Sequence, residues 1–211
     1  MKQSPALPIV LLAAALLAGC VSVDVGGGST RQVRFVLEDA RPDMTRRDTP
    51  AAQSLVLQGF PGNPLASSLS MAYATAPGQR EVYQLSTWVQ RPTQALLGLL
   101  RQRLERRGAL ATVSILGEGV GGDLLLGIAV EDIYHDAAEK PGVARLTVRA
   151  DLINRQSRTL LARRTFAATA RLAAANPAAF TRAMGEATAT LFDELVPWLE
   201  ASAGTGAQAT E

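Results

Sequence analysis

The sequence is poor in the residues that build most catalytic and metal centres. Among 211 residues it has one cysteine, Cys20, and one histidine, His135. A single cysteine excludes a disulfide within the chain, and a single histidine leaves zinc without its usual nitrogen and sulfur ligands. The sequence also lacks a Gly-Xaa-Ser-Xaa-Gly motif, and no Lys-Ser or Lys-Thr follows the glycine-rich segment 117–122, which predicts a flexible hairpin loop and not a phosphate-binding loop. It therefore predicts no catalytic centre, no metal and no cofactor.

Lysine is nearly absent too, so the positive charge comes from arginine. Lys2 and Lys140 are the two lysines, and the formal net charge is only +2. A nucleic-acid-binding protein needs a concentrated basic surface, which this balance does not supply. Hydrophobic residues make up 47% of the chain, which is enough for a sizeable core.

The N-terminus carries the most specific motif of the chain. Lys2 precedes an apolar run at residues 7–16, which is too short to span a bilayer. Leu17, Ala18 and Gly19 then lead into Cys20, an arrangement that resembles the lipobox of bacterial lipoproteins. In such signals a peptidase recognises the three residues and cuts before the cysteine. The cysteine receives diacylglycerol on its thiol and an acyl chain on its amine, the only groups that we expect the chain to carry.

The lipobox interpretation divides the N-terminal region in two. Residues 1–19 are the signal peptide, and residues 20–30 are a flexible tether rich in glycine. Val21 and Ser22 follow the cysteine in place of the aspartate that retains lipoproteins in the inner membrane. We therefore expect an anchor in the outer membrane, with the domain facing the periplasm of a Gram-negative bacterium. The alternatives are an ordinary secretory signal and an uncleaved anchor helix.

Hydrophobic periodicity predicts four strands before the first helix. The strand candidates begin near residues 33, 54, 68 and 82, and Pro77-Gly78 supplies a turn. Leucines at 96, 97, 100 and 104 then lie on one helical stripe, with Pro92 near its start and Gly108 after its end.

Four further strands and a long helix complete the predicted domain. The strand candidates begin near residues 112, 124, 146 and 160, and Asn176 with Pro177 predicts a helix start. The apolar face of that helix consists of Phe180, Met184, Ala187, Leu191, Leu195 and Trp198. We expect a single α+β domain at 31–200, with two main helices on a mostly antiparallel sheet, in the approximate order ββββ-α-ββββ-α. Residues 201–211 are small and polar and predict a disordered tail.

Two groups of side chains are candidates for function. Asp132, His135 and Asp136 are close in sequence and could form an acid/base group, or they could lie in a solvated loop between two hairpin strands. Arg101, Arg103, Arg106 and Arg107 could contact lipid headgroups or an acidic partner, or they could form a solvated helix face. Tyr83 and Trp88 could be interface anchors, although core positions are favoured.

The segment from Tyr83 to Pro92, with the sequence YQLSTWVQRP, leads into the leucine-striped helix and Gly108. Together with the lipobox and the early strand Arg34-Phe35-Val36-Leu37, this order resembles the ABC-type transport auxiliary lipoprotein family, which includes lipoproteins like paraquat-inducible protein C. The resemblance covers roughly residues 31–200.

This resemblance implies a non-enzymatic, periplasm-facing subunit. Proteins of this kind associate with ABC transporter subunits and MCE-domain proteins that move phospholipid or other hydrophobic substrates between the membranes, and they can form homo-oligomers. Two alternatives remain from the sequence. One is a free-standing lipoprotein for envelope assembly or scaffolding, and the other is a hydrolase that uses Asp132 and His135.

Overall fold

Eight strands and two long helices make up the part of the chain that the computed structural model describes, residues 31–42, 45–46, 54–108 and 110–208. Side chains are described as far as Gly204. The elements are β1 (Val33–Phe35), β2 (Ser54–Gly59), β3 (Ser70–Ala74), β4 (Glu81–Trp88), α1 (Pro92–Arg107), β5 (Thr112–Ile115), β6 (Leu124–Asp136), β7 (Val143–Asn154), β8 (Thr159–Arg171) and α2 (Pro177–Gln208). A short 3-10 helix, Pro64–Ser67, lies between β2 and β3. The predicted order ββββ-α-ββββ-α and the α+β class are confirmed.

The long strand β6 organises a single mixed sheet. Along one side it pairs with β7 in antiparallel fashion, and β7 pairs with β8 in the same way. On its other side the first half of β6 pairs with β2, and its last residues pair with β3. Beyond β2 lies β5, while β4 and then β1 lie beyond β3. The long ladders are thus antiparallel, as expected, and the short pairings of β2 with β5 and β6 are parallel.

Both helices begin, and α1 ends, where the local sequence predicts. The side chain of Asn176 accepts a hydrogen bond from the Ala179 amide at 2.9 Å and caps α2. Pro92 is the first residue of α1, and Gly108 ends that helix with a φ of 64°, a conformation that favours glycine.

The core lies between the helices and one face of the sheet. All six residues of the predicted apolar face of α2 contribute, and Trp198 among them is only partly buried. Trp88 of β4 is 2% exposed and its ring packs 5.8 Å from that of Phe180 in α2. The interpretation of Trp88 as a core residue is therefore confirmed.

Two expectations about connecting segments are wrong. The predicted tail begins at residue 201, but α2 continues to Gln208, because Ala203 is buried at 1% exposure and extends the packed face of the helix. Segment 117–122 is expected to be a hairpin loop. In the structure, β5 and β6 are parallel to each other, with β2 between them. This segment is therefore not a hairpin loop; it passes β2 and returns to the end of the sheet where β6 begins.

Candidate functional site

Arg103, one of the four candidate arginines, is fully buried. Its guanidinium donates from Nε to Asp39 Oδ2 at 2.7 Å and from Nη2 to Asp39 Oδ1 at 2.6 Å. Its Nη1 donates to Asp193 Oδ1 at 2.6 Å and to the Ala189 carbonyl at 3.3 Å. The pairing with Asp39 is bidentate, and the bonds to Ala189 and Asp193 join α1 to α2.

The buried arginine fixes residues 37–42, which we call the N-terminal strap, between the helices. The Asp39 side chain is only 3% exposed, and the Arg41 carbonyl also accepts a hydrogen bond from Arg103. The Arg41 side chain in turn donates to Glu186 at 2.5 Å and to Thr190 at 2.9 Å, both on α2. The charged side chains of Asp39 and Arg41 thereby hold the strap to α1 and α2.

Neither alternative for Arg103, a contact with a headgroup or acidic partner or a place on a solvated helix face, agrees with its burial. A buried guanidinium is tolerated only when carboxylates compensate its charge and acceptors satisfy its N–H groups, and both conditions are met internally. Counting apolar residues along α1 identifies the leucine stripe but cannot detect this pairing, since Asp39 lies 64 residues away along the chain.

The other three arginines of α1 do not form one cationic face. Arg101 pairs with Glu118 at 2.7 Å, beyond β5. Arg107 pairs with Glu200 of α2 at 2.9 Å, and this hydrogen bond raises the pKa of Arg107. Arg106 is exposed and makes no ion pair with any described residue. Three of the four arginines therefore form ion pairs that connect α1 to other parts of the domain.

His135 is also buried, at 1% exposure, and it lies within β6 and not in a loop. Its Nε2 is 3.1 Å from the Pro141 carbonyl, which can only accept, so Nε2 carries the proton. Its Nδ1 then accepts from the Tyr83 hydroxyl at 2.6 Å. Burial lowers the pKa of His135, against the opposing effects of the Pro141 hydrogen bond and the Asp136 carboxylate. Burial likewise raises the pKa of Tyr83.

The structure does not assemble the acid/base group considered above. Asp132 forms an ion pair with Arg80 at 3.2 Å, and Asp136 pairs with Arg145 at 2.7 Å. Strand alternation after a bulge directs Asp132 and His135 to opposite faces of β6. Both nitrogens of His135 are occupied by protein atoms, so the imidazole has no route to a substrate. The loop interpretation is wrong as well, since all three residues belong to β6.

A mainly apolar groove among the described residues has a volume of about 520 Å³. It lies between the carboxyl ends of β2 and β5 and the start of α1. Its lining consists of Leu57, Gln58, Gly59, Phe60, Pro61, Ser67, Arg91, Thr93, Gln94, Leu97, Ile115 and Leu116. This lining contains no carboxylate, histidine or cysteine, so it has no base that could activate the hydroxyls of Ser67 and Thr93, and the groove offers mainly a surface for binding.

Two further features of the described residues bear on function. No group of three or more His, Cys, Asp or Glu side chains among them could hold a metal ion. Among the described helices, none combines the length and the apolar character that a membrane crossing requires. The lipobox at Leu17, Ala18, Gly19 and Cys20, with the tether at 20–30, lies outside the described residues.

The fold and these surfaces define an α+β domain with a buried ion pair between its N-terminal strap and α1. The chain belongs to the family of ABC-type transport auxiliary lipoprotein components, whose family model matches residues 35–196. The family resemblance drawn from residues 83–108 is thus confirmed.

Two solved structures share the fold. Protein XCC0632 from Xanthomonas campestris, of the family model DUF330, is 21% identical, with a TM-score of 0.73; the match covers 83% of this chain and 99% of that one. An uncharacterized protein is 13% identical, with a TM-score of 0.59, and the match covers 80% of this chain and 99% of that one. At these identities the likeness concerns the fold alone. No curated protein matches the chain.

Proposed function

We propose that this family member is the lipid-anchored, non-catalytic auxiliary subunit of an ABC/MCE-type system that moves phospholipid or another hydrophobic substrate between the inner and outer membranes. Membership of the auxiliary lipoprotein family over residues 35–196 is the observation that carries the proposal. The anchor is diacylglycerol and an acyl chain on Cys20, and it resides in the outer membrane with the domain facing the periplasm.

The site geometry supports a docking role over a chemical one. The chain's single histidine is enclosed by Tyr83 and Pro141, and the buried carboxylate of Asp39 is committed to Arg103. The groove beside α1 is mainly apolar and lacks a base that could activate its hydroxyl groups. A subunit that holds an MCE-domain protein and transporter subunits needs such surfaces and no reactive groups.

The N-terminal strap supports the anchored state. The strap follows β1 and is the first described segment that is fixed between both helices, through Asp39 and Arg41. Any load transmitted along the chain from Cys20 therefore reaches an ion-paired segment within twenty residues of the anchor. This arrangement secures the N-terminal end of the domain, where an anchored subunit is held.

Membrane fractionation of a Cys20→Ala variant tests the anchor. We expect the wild-type chain in the outer-membrane fraction and the variant in the periplasmic fraction. The variant should have the same thermal unfolding midpoint as the unanchored wild-type domain. Two or three acyl chains make attachment effectively permanent, so the shift should be nearly complete. A Cys20→Ala variant that stays in the membrane fraction, or that fully replaces the wild type in a deletion strain, contradicts the proposal. A deletion that leaves lipid distribution intact but impairs outer-membrane protein assembly would indicate a scaffolding lipoprotein.

A further inference from the structure

The face of β4 and β1 that lies away from the helices carries an exposed aliphatic patch. Trp88 points toward α2, so strand alternation directs Thr87 to the opposite face of the sheet. Leu85 lies just before it, in the part of β4 where the register with β3 shifts. Val89 follows Thr87 on that face and is 54% exposed, while Leu85 is 48% exposed. These side chains have no covering element among the described residues.

Strand β1 extends the same patch to the edge of the sheet. It pairs with β4 in parallel, with Arg34 beside Thr87 and Phe35 beside Trp88. The Val89 amide donates to the Phe35 carbonyl at 2.8 Å, which continues the pairing beyond the strand ends. Val36 therefore lies next to Val89 on the helix-free face, and it is 54% exposed.

Arginine is the only charged residue type in the two segments that build the patch, and the exposed Glu38 and Glu81 flank these segments. Arg34 lies within the patch and Arg91 follows Val89 by two residues; both are exposed, and neither forms an ion pair with a described residue. The two segments that build the patch, residues 32–37 and 82–91, contain no aspartate or glutamate. An aliphatic surface with unpaired arginines is complementary to the interface of an anionic bilayer, where alkyl groups enter the headgroup region and guanidinium groups bind phosphates.

The position of the patch along the chain supplies a second argument. The tether from Cys20 joins the domain at β1, so the patch belongs to the strand that is covalently closest to the anchor. The twelve residues between Cys20 and Val33 span at most about 45 Å, which keeps the domain close to the bilayer. At such short range even a weak surface affinity is sufficient to orient the domain, because the effective lipid concentration is high.

We propose that Val36 and Val89, with Arg34 on the same face and the exposed Leu85 and Arg91 at its margins, form a membrane-contact face for the anionic phospholipid surface that holds the anchor. The face rests on the proposed function, since it acts beside the lipid on Cys20. Contact there turns the opposite face of the sheet, with α1 and α2, toward the periplasm. The acyl chains then provide residence on the membrane, and the patch sets the orientation.

Vesicle binding of the unlipidated chain tests this face separately from the anchor. The chain from residue 20 to 211 with Cys20→Ala is mixed with vesicles of phosphatidylethanolamine and phosphatidylglycerol, and with vesicles of phosphatidylcholine alone. We expect a small fraction of the protein to sediment with the anionic vesicles. This binding should be lost in high salt, and no protein should sediment with phosphatidylcholine vesicles. Replacing Arg34 or Arg91 by Gln should weaken binding about fivefold each.

A matched pair of variants decides whether the patch itself binds. The variant with Val36→Ser and Val89→Ser should abolish vesicle binding and keep the wild-type unfolding midpoint. The control carries Leu160→Ser and Arg171→Gln on β8, at the opposite edge of the sheet, and should bind as the parent does; Leu160 is 49% exposed. Binding that both variants lose equally, or no binding to anionic vesicles, overturns the proposal. Concentration-dependent self-association that the Val36 and Val89 changes abolish would instead assign the patch to a second copy.

These outcomes separate the face from the proposed function. If Cys20 is not lipidated in cells, the fractionation experiment fails while vesicle binding by the patch remains measurable. If the patch does not bind, the anchored chain still fractionates with the membrane.

Discussion

Asp39 and Arg103 form a bidentate ion pair, with N···O distances of 2.6 and 2.7 Å, in which neither side chain is more than 3% exposed. Asp39 lies in the N-terminal strap and Arg103 lies in α1, so the pair joins the segment that follows β1 to the helical layer. A partly exposed carboxylate, Asp193 of α2, binds the same guanidinium. The pair is therefore the centre of the contacts between the strap and both helices.

Asp39→Asn should destabilise the domain by about 3–5 kcal/mol, because it leaves the buried charge of Arg103 with only one carboxylate. Urea unfolding followed by circular dichroism measures this change. The adjacent variant Glu38→Gln is the matched control; Glu38 is exposed, so a change within about 0.5 kcal/mol is expected.

The double variant Asp39→Asn with Arg103→Met should recover part of that loss, because it removes the uncompensated charge together with its former partner. Strict additivity of the two single changes would show that the residues do not interact energetically.

Stability should decrease as the pH falls below about 6.5, the ordinary pKa of histidine. Burial lowers the pKa of His135 in the folded state, so the unfolded chain binds its proton at a higher pH than the folded chain does. The stabilisation is fully present above the unfolded pKa, and it is lost toward the folded pKa with a slope of at most about 1.4 kcal/mol per pH unit.

The assignment of this pH dependence is simple because His135 is the single histidine of the chain. Urea midpoints of wild type and of His135→Gln, measured between pH 5 and pH 8, provide the test. The slope between pH 5 and pH 6.5 should disappear in the variant, and a slope that persists unchanged would assign it to other groups.

Tyr83→Phe should cost about 1–3 kcal/mol at neutral pH, since it removes the hydroxyl that donates to Nδ1 of the buried imidazole. Tyr73→Phe is a comparison on the neighbouring strand, because the Tyr73 hydroxyl bonds to the exposed Glu81. Thermal melts should show the larger loss for Tyr83. Equal losses would mean that the imidazole contact contributes no more than a surface hydrogen bond.

Gly62 and Gly98 should respond to alanine in opposite directions. A Cβ at Gly62 would lie 2.3 Å from the Val130 carbonyl oxygen, a backbone atom of β6, so Gly62→Ala should destabilise by about 1–3 kcal/mol. A Cβ at Gly98 meets nothing within 4 Å, and Gly98→Ala should stabilise α1 by about 0.5–1 kcal/mol. Unfolding midpoints that move in the same direction for both variants would contradict the described approach of residue 62 to β6.

The sequence predicts the elements of this fold better than their connections. Local signals are sufficient for the helix ends at Asn176 and Gly108, because caps depend on neighbouring residues alone. Pairing partners are not local. The residues of segment 117–122 do not indicate that β2 lies between β5 and β6. A short glycine-rich loop therefore favours a hairpin, although it connects two parallel strands.

The candidate residues show the same division. Arg103 belongs to a run of arginines on an amphipathic helix, which favours an exposed position, and only its distant partners Asp39 and Asp193 make burial possible. Proximity in sequence suggests a group of His135 and Asp132, although strand alternation separates their side chains. The aliphatic patch of Val36 and Val89 depends on the pairing of β1 with β4, which the sequence alone does not specify.

Co-purification from mildly solubilised envelopes is the most direct measurement of the central claim. The full-length chain with a C-terminal tag should recover ABC transporter subunits and an MCE-domain protein, identified by mass spectrometry, at ratios that survive several detergents. The Cys20→Ala chain should recover much less, because it leaves the membrane where those subunits meet. Recovery of the wild-type chain alone in every detergent would contradict the account of this protein as a transporter's auxiliary subunit.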